Sequence, residues 1–237
     1  YNINESVYSD MQNIWDTYRK KSKMNLIVSG SVYSLMQKIF QNNKEPLFGR
    51  ADNIIKLSAF DLATLKEIIF DYNPDYSNDD LLALYSFTGG VPKYVELLCD
   101  NTELSVDGMI SFMVRENSSF TDEGKNLLVE EFGKNYATYF SILSAISGGI
   151  NTQPGIEAAL GDKSIGGQIK RLIEDYNIIV RQRPILAKEG SQTVRYEIQD
   201  NFLRFWFNYF DRYRSLIEIK NFVGLQSIIK KDYPTYS

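Results

Sequence analysis

Glycine–lysine pairs are the residues of this chain whose types and spacing come nearest to phosphate chemistry. A phosphate-binding P-loop needs a glycine, four residues and then Gly-Lys-Ser or Gly-Lys-Thr, so that backbone N–H groups, a lysine and a hydroxyl meet phosphate and magnesium. The nearest fragments are residues 124–126 (GKN), 133–135 (GKN) and 161–164 (GDKS). None has the leading glycine and the hydroxyl at the required positions. We therefore expect these 237 residues alone to hold neither ATP nor magnesium.

Histidine is absent from the sequence, and Cys99 is its single cysteine. These two facts exclude His-dependent triads and relays, zinc-protease sites, intrachain disulfides and Cys-rich metal sites, so no metal ligands are predicted. The lack of disulfides favours a reducing compartment, and we expect a cytoplasmic protein. No run approaches 18 apolar residues, so no membrane partner is expected.

The basic residues are the other candidates for chemistry. With 26 basic and 30 acidic residues the chain has a net charge of −4, which is not the charge of a polybasic nucleic-acid binder. Residues 163–204 nevertheless contain eight basic and five acidic residues. The candidates for DNA contact there are Lys170, Arg171, Arg181 and Arg183. DNA binding needs several phosphate contacts, so the signal is modest. A module that docks within its own protein stays an open alternative.

The first 57 residues combine helix and strand patterns. Apolar residues at helical spacing predict helices over residues 5–21 and 32–40. The short apolar runs 24–28 and 53–57 predict buried strands, the first ending in a small-residue turn. Strand, helix and strand in this order predict a parallel sheet, and hence a mixed α/β fold that is mostly α over the whole chain.

The rest of the chain is predominantly helical by its pattern. Residues 58–133 predict a small helical bundle, with Asp61 as a cap, Gly89 and Gly90 ending one helix, and Pro92 opening the next. Residues 134–210 predict three helices and two strands, 178–182 and 193–198, which is the order of a winged helix. The aromatic run in 202–213 has helical spacing, which favours packing over base stacking.

Four segments in register resemble the archaeal and bacterial P-loop ATPase family, an AAA/STAND-like group. They are 26–31 (LIVSGS), 46–50 (PLFGR), 87–94 (FTGGVPKY) and 196–207 (YEIQDNFLRFWF). The resemblance implies four parts: the end of an α/β nucleotide-binding domain (1–57), a helical lid (58–133), a winged helix (134–210) and the start of a truncated further domain (211–237). The chain departs from the family by lacking the P-loop and the magnesium-binding strand, which the family places before Tyr1. We expect the chain to be a piece of a longer protein.

The same resemblance implies site residues, each with an ordinary structural alternative. Ser31 would sense the terminal phosphate at a strand end, or would cap the helix that follows. Arg50 would be the catalytic arginine that meets the phosphates or a neighbouring subunit's site, or would be a surface cation in a turn. Gly90 and Pro92 would pack near adenine, or would only separate two helices.

The implied function is a nucleotide-driven conformational switch, with ATP and magnesium as cofactors of the intact parent ATPase. A winged-helix DNA-binding regulator and a protein-interaction scaffold with a lost nucleotide site are the alternatives. The corresponding partners are DNA, a second copy of the chain or another protein. A P-loop sequence upstream of Tyr1 would favour the first hypothesis over the scaffold.

Overall fold

The computed structural model describes residues 6–30, 32–183 and 194–236. The chain forms two compact units, residues 1–57 and residues 58–237. Among the described residues, sheet pairing is limited to two short antiparallel strands, and most of the remaining structure is helical.

The first unit holds two helices, α1 (Ser6–Tyr18) and α2 (Tyr33–Gln41). The prediction of strands over 24–28 and 53–57 is wrong for this structure, because neither segment is assigned to a sheet among the described residues. A strand is stable only when a neighbour accepts and donates its backbone hydrogen bonds, and neither segment pairs with the other. The predicted parallel sheet is therefore not formed by the described residues.

The second unit begins with five helices whose ends follow the predicted signals. They are α3 (Leu62–Tyr72), α4 (Asn78–Thr88), α5 (Pro92–Asn101), α6 (Val106–Met113) and α7 (Phe120–Phe132). The Asp61 side chain accepts from the N–H of Thr64 and caps α3, as predicted. Gly89 ends α4 with φ of +60°, the left-handed conformation that favours glycine. Pro92 occupies the first turn of α5.

Three more helices and an antiparallel hairpin follow a short 3₁₀ turn at Gly133–Asn135. They are α8 (Tyr136–Ser147), α9 (Gln153–Ala159), α10 (Gly166–Glu174), β1 (Ile179–Gln182) and β2 (Arg195–Ile198). In the hairpin Ile179 pairs with Ile198 and Gln182 with Arg195, so the predicted strand pair is confirmed. The loop predicted between the strands falls largely on 184–193, outside the described residues. We call residues 136–198 the helix–hairpin module.

The aromatic segment after β2 is the centre of the core. It comprises α11 (Asn201–Trp206) and a π-helix (Phe207–Asp211), followed by α12 (Arg214–Glu218) and α13 (Phe222–Tyr236). Trp206 is fully buried, and its Nε1 donates to the carbonyl oxygens of Phe120 and Thr121 at 3.0 and 3.2 Å. A Cβ on Gly124 would lie 2.3 Å from the Trp206 ring, so α7 approaches this ring only because residue 124 has no side chain. The packing interpretation of the aromatic run is confirmed.

One hydrophobic cluster runs through the whole second unit, from Leu65 to Tyr233. Helix α11 packs on α4 as well as on β2, and α13 packs on α6 with Leu225 and Ile229 fully buried. Three ion pairs join this C-terminal segment to the α6–α7 region: Arg214 with Asp122, Lys220 with Glu116, and Lys230 with Asp107. The predicted division of residues 58–237 into three parts stays a prediction.

Candidate functional site

Arg50 lies at the end of a tight turn in the first unit. The turn is held by backbone hydrogen bonds from Phe48 N–H to Glu45 and from Arg50 N–H to Leu47, and Leu47 anchors it because its side chain is buried. Gly49 has φ of +68°, while a Cβ built on it would contact nothing within 4 Å. The backbone conformation, rather than crowding, therefore accounts for this glycine.

The guanidinium of Arg50 is held by a two-pronged ion pair with Asp16 of α1. Its Nε and Nη2 donate to the Asp16 carboxylate, the shortest distance being 2.8 Å, and its Nη1 donates to the carbonyl oxygen of Phe48 at 3.1 Å. The hydrogen bond from Arg50 lowers the pKa of Asp16, and the bond to Asp16 raises the pKa of Arg50. The planar fork of an arginine matches a carboxylate, and it matches phosphate oxygens in the same way.

Asp16 is the partner that sequence reasoning missed. It lies 34 residues before Arg50, and nothing in the local pattern of α1 distinguishes it from a solvent-facing acid. The pairing depends on how the turn folds against α1, which residue spacing does not encode. Ser31, the predicted phosphate sensor, lies outside the described residues.

Gly90 and Pro92 are positioned by the junction between α4 and α5. The Gly90 N–H donates to Oγ1 of the buried Thr88 at 3.1 Å, and its carbonyl oxygen accepts from Phe60 N–H at 2.7 Å. A Cβ on Gly90 would lie 2.2 Å from the Phe60 carbonyl oxygen, so no other residue fits there. Both backbone polar groups of Gly90 already have a hydrogen-bond partner within the protein. Pro92 is exposed at the start of α5.

Lys170 and Arg171 lie on the exposed surface of α10, and each has a partner in its own module. The Lys170 ammonium lies 3.7 Å from the Glu174 carboxylate, with both side chains mostly exposed. The pKa of Arg171 is raised, first by a hydrogen bond with Tyr139 of α8. The Lys170 charge is therefore partly compensated by Glu174, whereas Arg171 is held by a tyrosine hydroxyl with Asp175 nearby.

Arg181 and Arg183 lie on the exposed end of the hairpin. Arg181 pairs with Tyr196 in the register of the sheet, and the exposed Arg195 lies opposite Gln182 on the other strand. The hairpin thus presents three arginines at one end, whereas α10 presents cations beside acids.

No group of three or more potential metal-ligating side chains occurs among residues 6–30, 32–183 and 194–236. Cys99 is buried in α5, and burial raises the pKa of its thiol to about 11, which suits a small core residue rather than a nucleophile. Within the same described ranges, none of the helices has the length and the apolar character needed to span a bilayer.

Comparison with known proteins gives one informative relative. Over 98% of its length the chain is 32% identical to Uncharacterized protein MJECL04 of Methanocaldococcus jannaschii. The chain spans about half of that relative, 51% of its length. No protein-family profile matches the sequence. No solved structure matches it either.

Proposed function

We propose that this chain is part of an ATP-binding P-loop ATPase that acts as a nucleotide-driven switch. The observation that carries the proposal is the state of the apolar segments 24–28 and 53–57, which belong to no helix or strand and are exposed to solvent. Ile27, Ile55 and Leu57 are 84%, 80% and 89% exposed. In this proposal they are inner strands of a parallel sheet that further polypeptide completes.

The composition of the two segments supports inner strands rather than loops. Strands of a parallel sheet are covered on both faces, so they are apolar throughout instead of alternating with polar residues. Four of the five residues in 24–28 (MNLIV) and three of the five in 53–57 (NIIKL) are apolar, and neither segment alternates strictly with polar residues. Burying one such Val, Leu or Ile side chain contributes about 1.5–3 kcal/mol, so the missing neighbours would stabilise the unit strongly.

The length of the relative supports the existence of those neighbours. MJECL04 is about twice as long as the segment that this chain matches. The additional half is long enough for several strand–helix units, among them a phosphate-binding loop and a magnesium-binding strand.

Arg50 is the residue of this chain that we propose to act on the nucleotide. Its side chain is about one quarter exposed, and its guanidinium already binds an oxyanion, the Asp16 carboxylate, with two of its nitrogens. Exchanging carboxylate oxygens for phosphate oxygens keeps the same donor geometry. Bound ATP and magnesium would supply the reactive phosphoryl group, and Arg50 would stabilise its developing negative charge.

The test compares Arg50→Ala and Arg50→Lys with the wild type in the longer protein. Losing an arginine that meets transition-state charge costs on the order of a thousandfold in turnover, whereas losing an exposed ion pair changes stability little. We expect Arg50→Ala to abolish most ATP hydrolysis with little change in melting temperature or ATP affinity. Arg50→Lys should recover little, because a point charge does not reproduce the fork.

Lys38→Ala is the matched control, since Lys38 forms an exposed ion pair with Glu45 in the same unit. Wild-type turnover in Arg50→Ala would show that Arg50 is a surface cation without a role in ATP hydrolysis. Calorimetric titration of the 237-residue chain with ATP and magnesium should give no binding, because the phosphate cradle is missing. Micromolar affinity in this chain would overturn the proposal.

A second candidate function, DNA binding by the helix–hairpin module as a winged helix, is favoured by the three exposed arginines of the hairpin. Lys170→Ala combined with Arg171→Ala should weaken duplex binding and flatten its salt dependence by about one to two units of slope. The pair Lys66→Ala and Lys231→Ala, exposed cations outside the module, should leave the binding unchanged. If the wild-type chain fails to bind duplex even at low salt, the module docks within the protein instead.

A further inference from the structure

A polar cavity in the second unit lies where the helix–hairpin module meets the aromatic segment and α13. It is open to solvent on one side and has a volume of about 340 Å³, within the size range of small-molecule sites. The side chains that matter for its chemistry are Ser147, Asn151, Glu197, Arg204, Asn208 and Tyr236. None of them belongs to the nucleotide or DNA sites proposed above.

We propose that this cavity binds a small organic oxyanion, a carboxylate or a phosphate ester, through the guanidinium of Arg204. The proposal is independent of the ATPase function, because every residue it uses lies in the second unit. It rests on how the cavity's side chains are held and on which of their donors stay open.

Arg204 is fixed in place by Tyr236. Its Nε donates to the Tyr236 hydroxyl at 3.3 Å, and the guanidinium lies over the Tyr236 ring, 5.2 Å from the ring centre. These contacts use the Nε side of the group. Within the described residues no hydrogen bond is seen from its two Nη groups, which carry four N–H donors. A pre-positioned planar fork with open donors is the arrangement that recognises carboxylate and phosphate.

Other polar side chains line the same cavity. The Ser147 hydroxyl donates to Oδ1 of Asn208 at 3.1 Å, and Asn208 is also hydrogen-bonded to Tyr236. The Tyr236 hydroxyl accepts from Arg204, so its own proton can be donated. Burial raises the pKa of Tyr236, which keeps that proton in place at neutral pH.

The local backbone and the nearby acid fit the same interpretation. Asn208 lies on the π-helix Phe207–Asp211, and π-helical turns occur frequently at functional sites.

Glu197 is the acid beside the cavity, but it lies on the outer face of the hairpin. Its strand neighbours Tyr196 and Ile198 point inward and are buried, and its carboxylate accepts from Gln182. Arg204 is the basic residue of the cavity lining, and the acids near it are Glu197 and Asp200, the latter acting electrostatically on Tyr236.

The test is a titration of the 237-residue chain with inorganic phosphate and with acetate, followed by ¹H–¹⁵N NMR. We expect saturable shifts of the Arg204 Nε–H and of the Asn151 and Asn208 side-chain amides. Arg204→Gln should weaken binding by about ten- to a hundredfold, the effect of losing a charged hydrogen-bond donor. Arg212→Gln is the control, because Arg212 is an exposed arginine of the same segment, and it should bind as the wild type does.

A second variant keeps the test decisive if Arg204→Gln fails to fold. Asn208→Asp has nearly the same shape but adds a negative charge to the cavity, and it should abolish the shifts while the circular dichroism stays unchanged. A preference for phosphate over acetate would identify a phosphate ester as the ligand, and the reverse a carboxylate. Absence of saturable shifts in the wild type, or equal affinity in Arg204→Gln, would overturn the proposal.

Discussion

Residues 6–57 and residues 58–236 differ in how far their apolar side chains are buried. In the described part of the first unit, the buried hydrophobic residues are Ile39 and Leu47, while two apolar runs lie exposed. In the second unit a single hydrophobic cluster extends from α3 to α13 and encloses Trp206 completely. The difference indicates that the second unit carries its own core, whereas the described part of the first unit buries few of its apolar side chains.

The largest expected effect comes from separating the two units. Residues 58–237 expressed alone should keep their helical circular dichroism and unfold cooperatively on heating. Residues 1–57 alone should lack a cooperative transition, because two short helices with little buried surface are marginal in water. A cooperative melting curve for the 1–57 peptide, or a disordered 58–237 fragment, would break the comparison.

A substitution at Gly124 tests how tightly the second core is packed. Gly124→Ala places a methyl group against the Trp206 ring, and we expect it to lower the free energy of unfolding by about 1–3 kcal/mol. Gly167→Ala is the matched control, since a Cβ there meets nothing within 4 Å in a helix; it should stabilise by up to about 1 kcal/mol. Urea unfolding of both variants measures the contrast, and equal stability of the two would contradict the packing described for α7.

Asp200 and Asp61 are the aspartate N-caps of α11 and α3. Replacing each with Asn should change the free energy of unfolding at pH 7 in opposite directions. Burial raises the pKa of Asp200, which caps α11 through Leu203 N–H at 2.8 Å. Its contribution to the free energy of unfolding is therefore largest below the unfolded pKa of about 3.9 and is lost as pH rises through the raised folded pKa. Asn retains the cap acceptor without the charge, so Asp200→Asn should be more stable than the wild type at pH 7 but not near pH 3.

The pKa of Asp61 is shifted in the opposite direction from that of Asp200. Hydrogen bonds with Thr64 lower the pKa of Asp61, so its contribution is present above the unfolded pKa and is lost as pH falls through the folded pKa. Asp61→Asn should be less stable than the wild type at pH 7, and the two should converge in acid. Thermal unfolding between pH 3 and pH 7 checks both signs. The same pH dependence in the two variants would refute the assignment of their environments.

The smallest effect is expected in the exposed runs of the first unit. Ile27→Thr in the 237-residue chain should change the free energy of unfolding by less than about 0.5 kcal/mol, because Ile27 is 84% exposed. Ile69→Val, which removes one methyl group from a fully buried residue, should cost about 0.5–1.5 kcal/mol. A larger loss from Ile27→Thr would mean that residues 24–28 are already packed in this chain.

The elements that local signals determine could be predicted from the sequence. The helices with clear caps, the glycine and proline at the α4–α5 junction, and the hairpin strands follow from spacing and end residues. Ile165 occupies the N-cap position of α10 without a side-chain cap, and its N–H donates to the carboxylate of Glu157. This contact spans eight positions, and residue spacing gives no sign of it.

The parts that depend on distant contacts could not be predicted. The apolar runs 24–28 and 53–57 have strand composition, but a strand forms only when a neighbour pairs with it. The Asp16–Arg50 pair and the Arg204–Tyr236 contact join residues 34 and 32 positions apart. Such pairs follow from the tertiary fold, so residue types alone indicate a candidate cation without its partner.

Amide hydrogen exchange of residues 24–28 and 53–57 tests the central claim most directly. The measurement compares the 237-residue chain with the longer protein that we propose. If the segments are strands of a sheet completed elsewhere, their amides should exchange rapidly in the chain and at least about a thousandfold more slowly in the longer protein. Equally rapid exchange in both proteins would contradict the account, because the exposed runs would then be loops rather than strands.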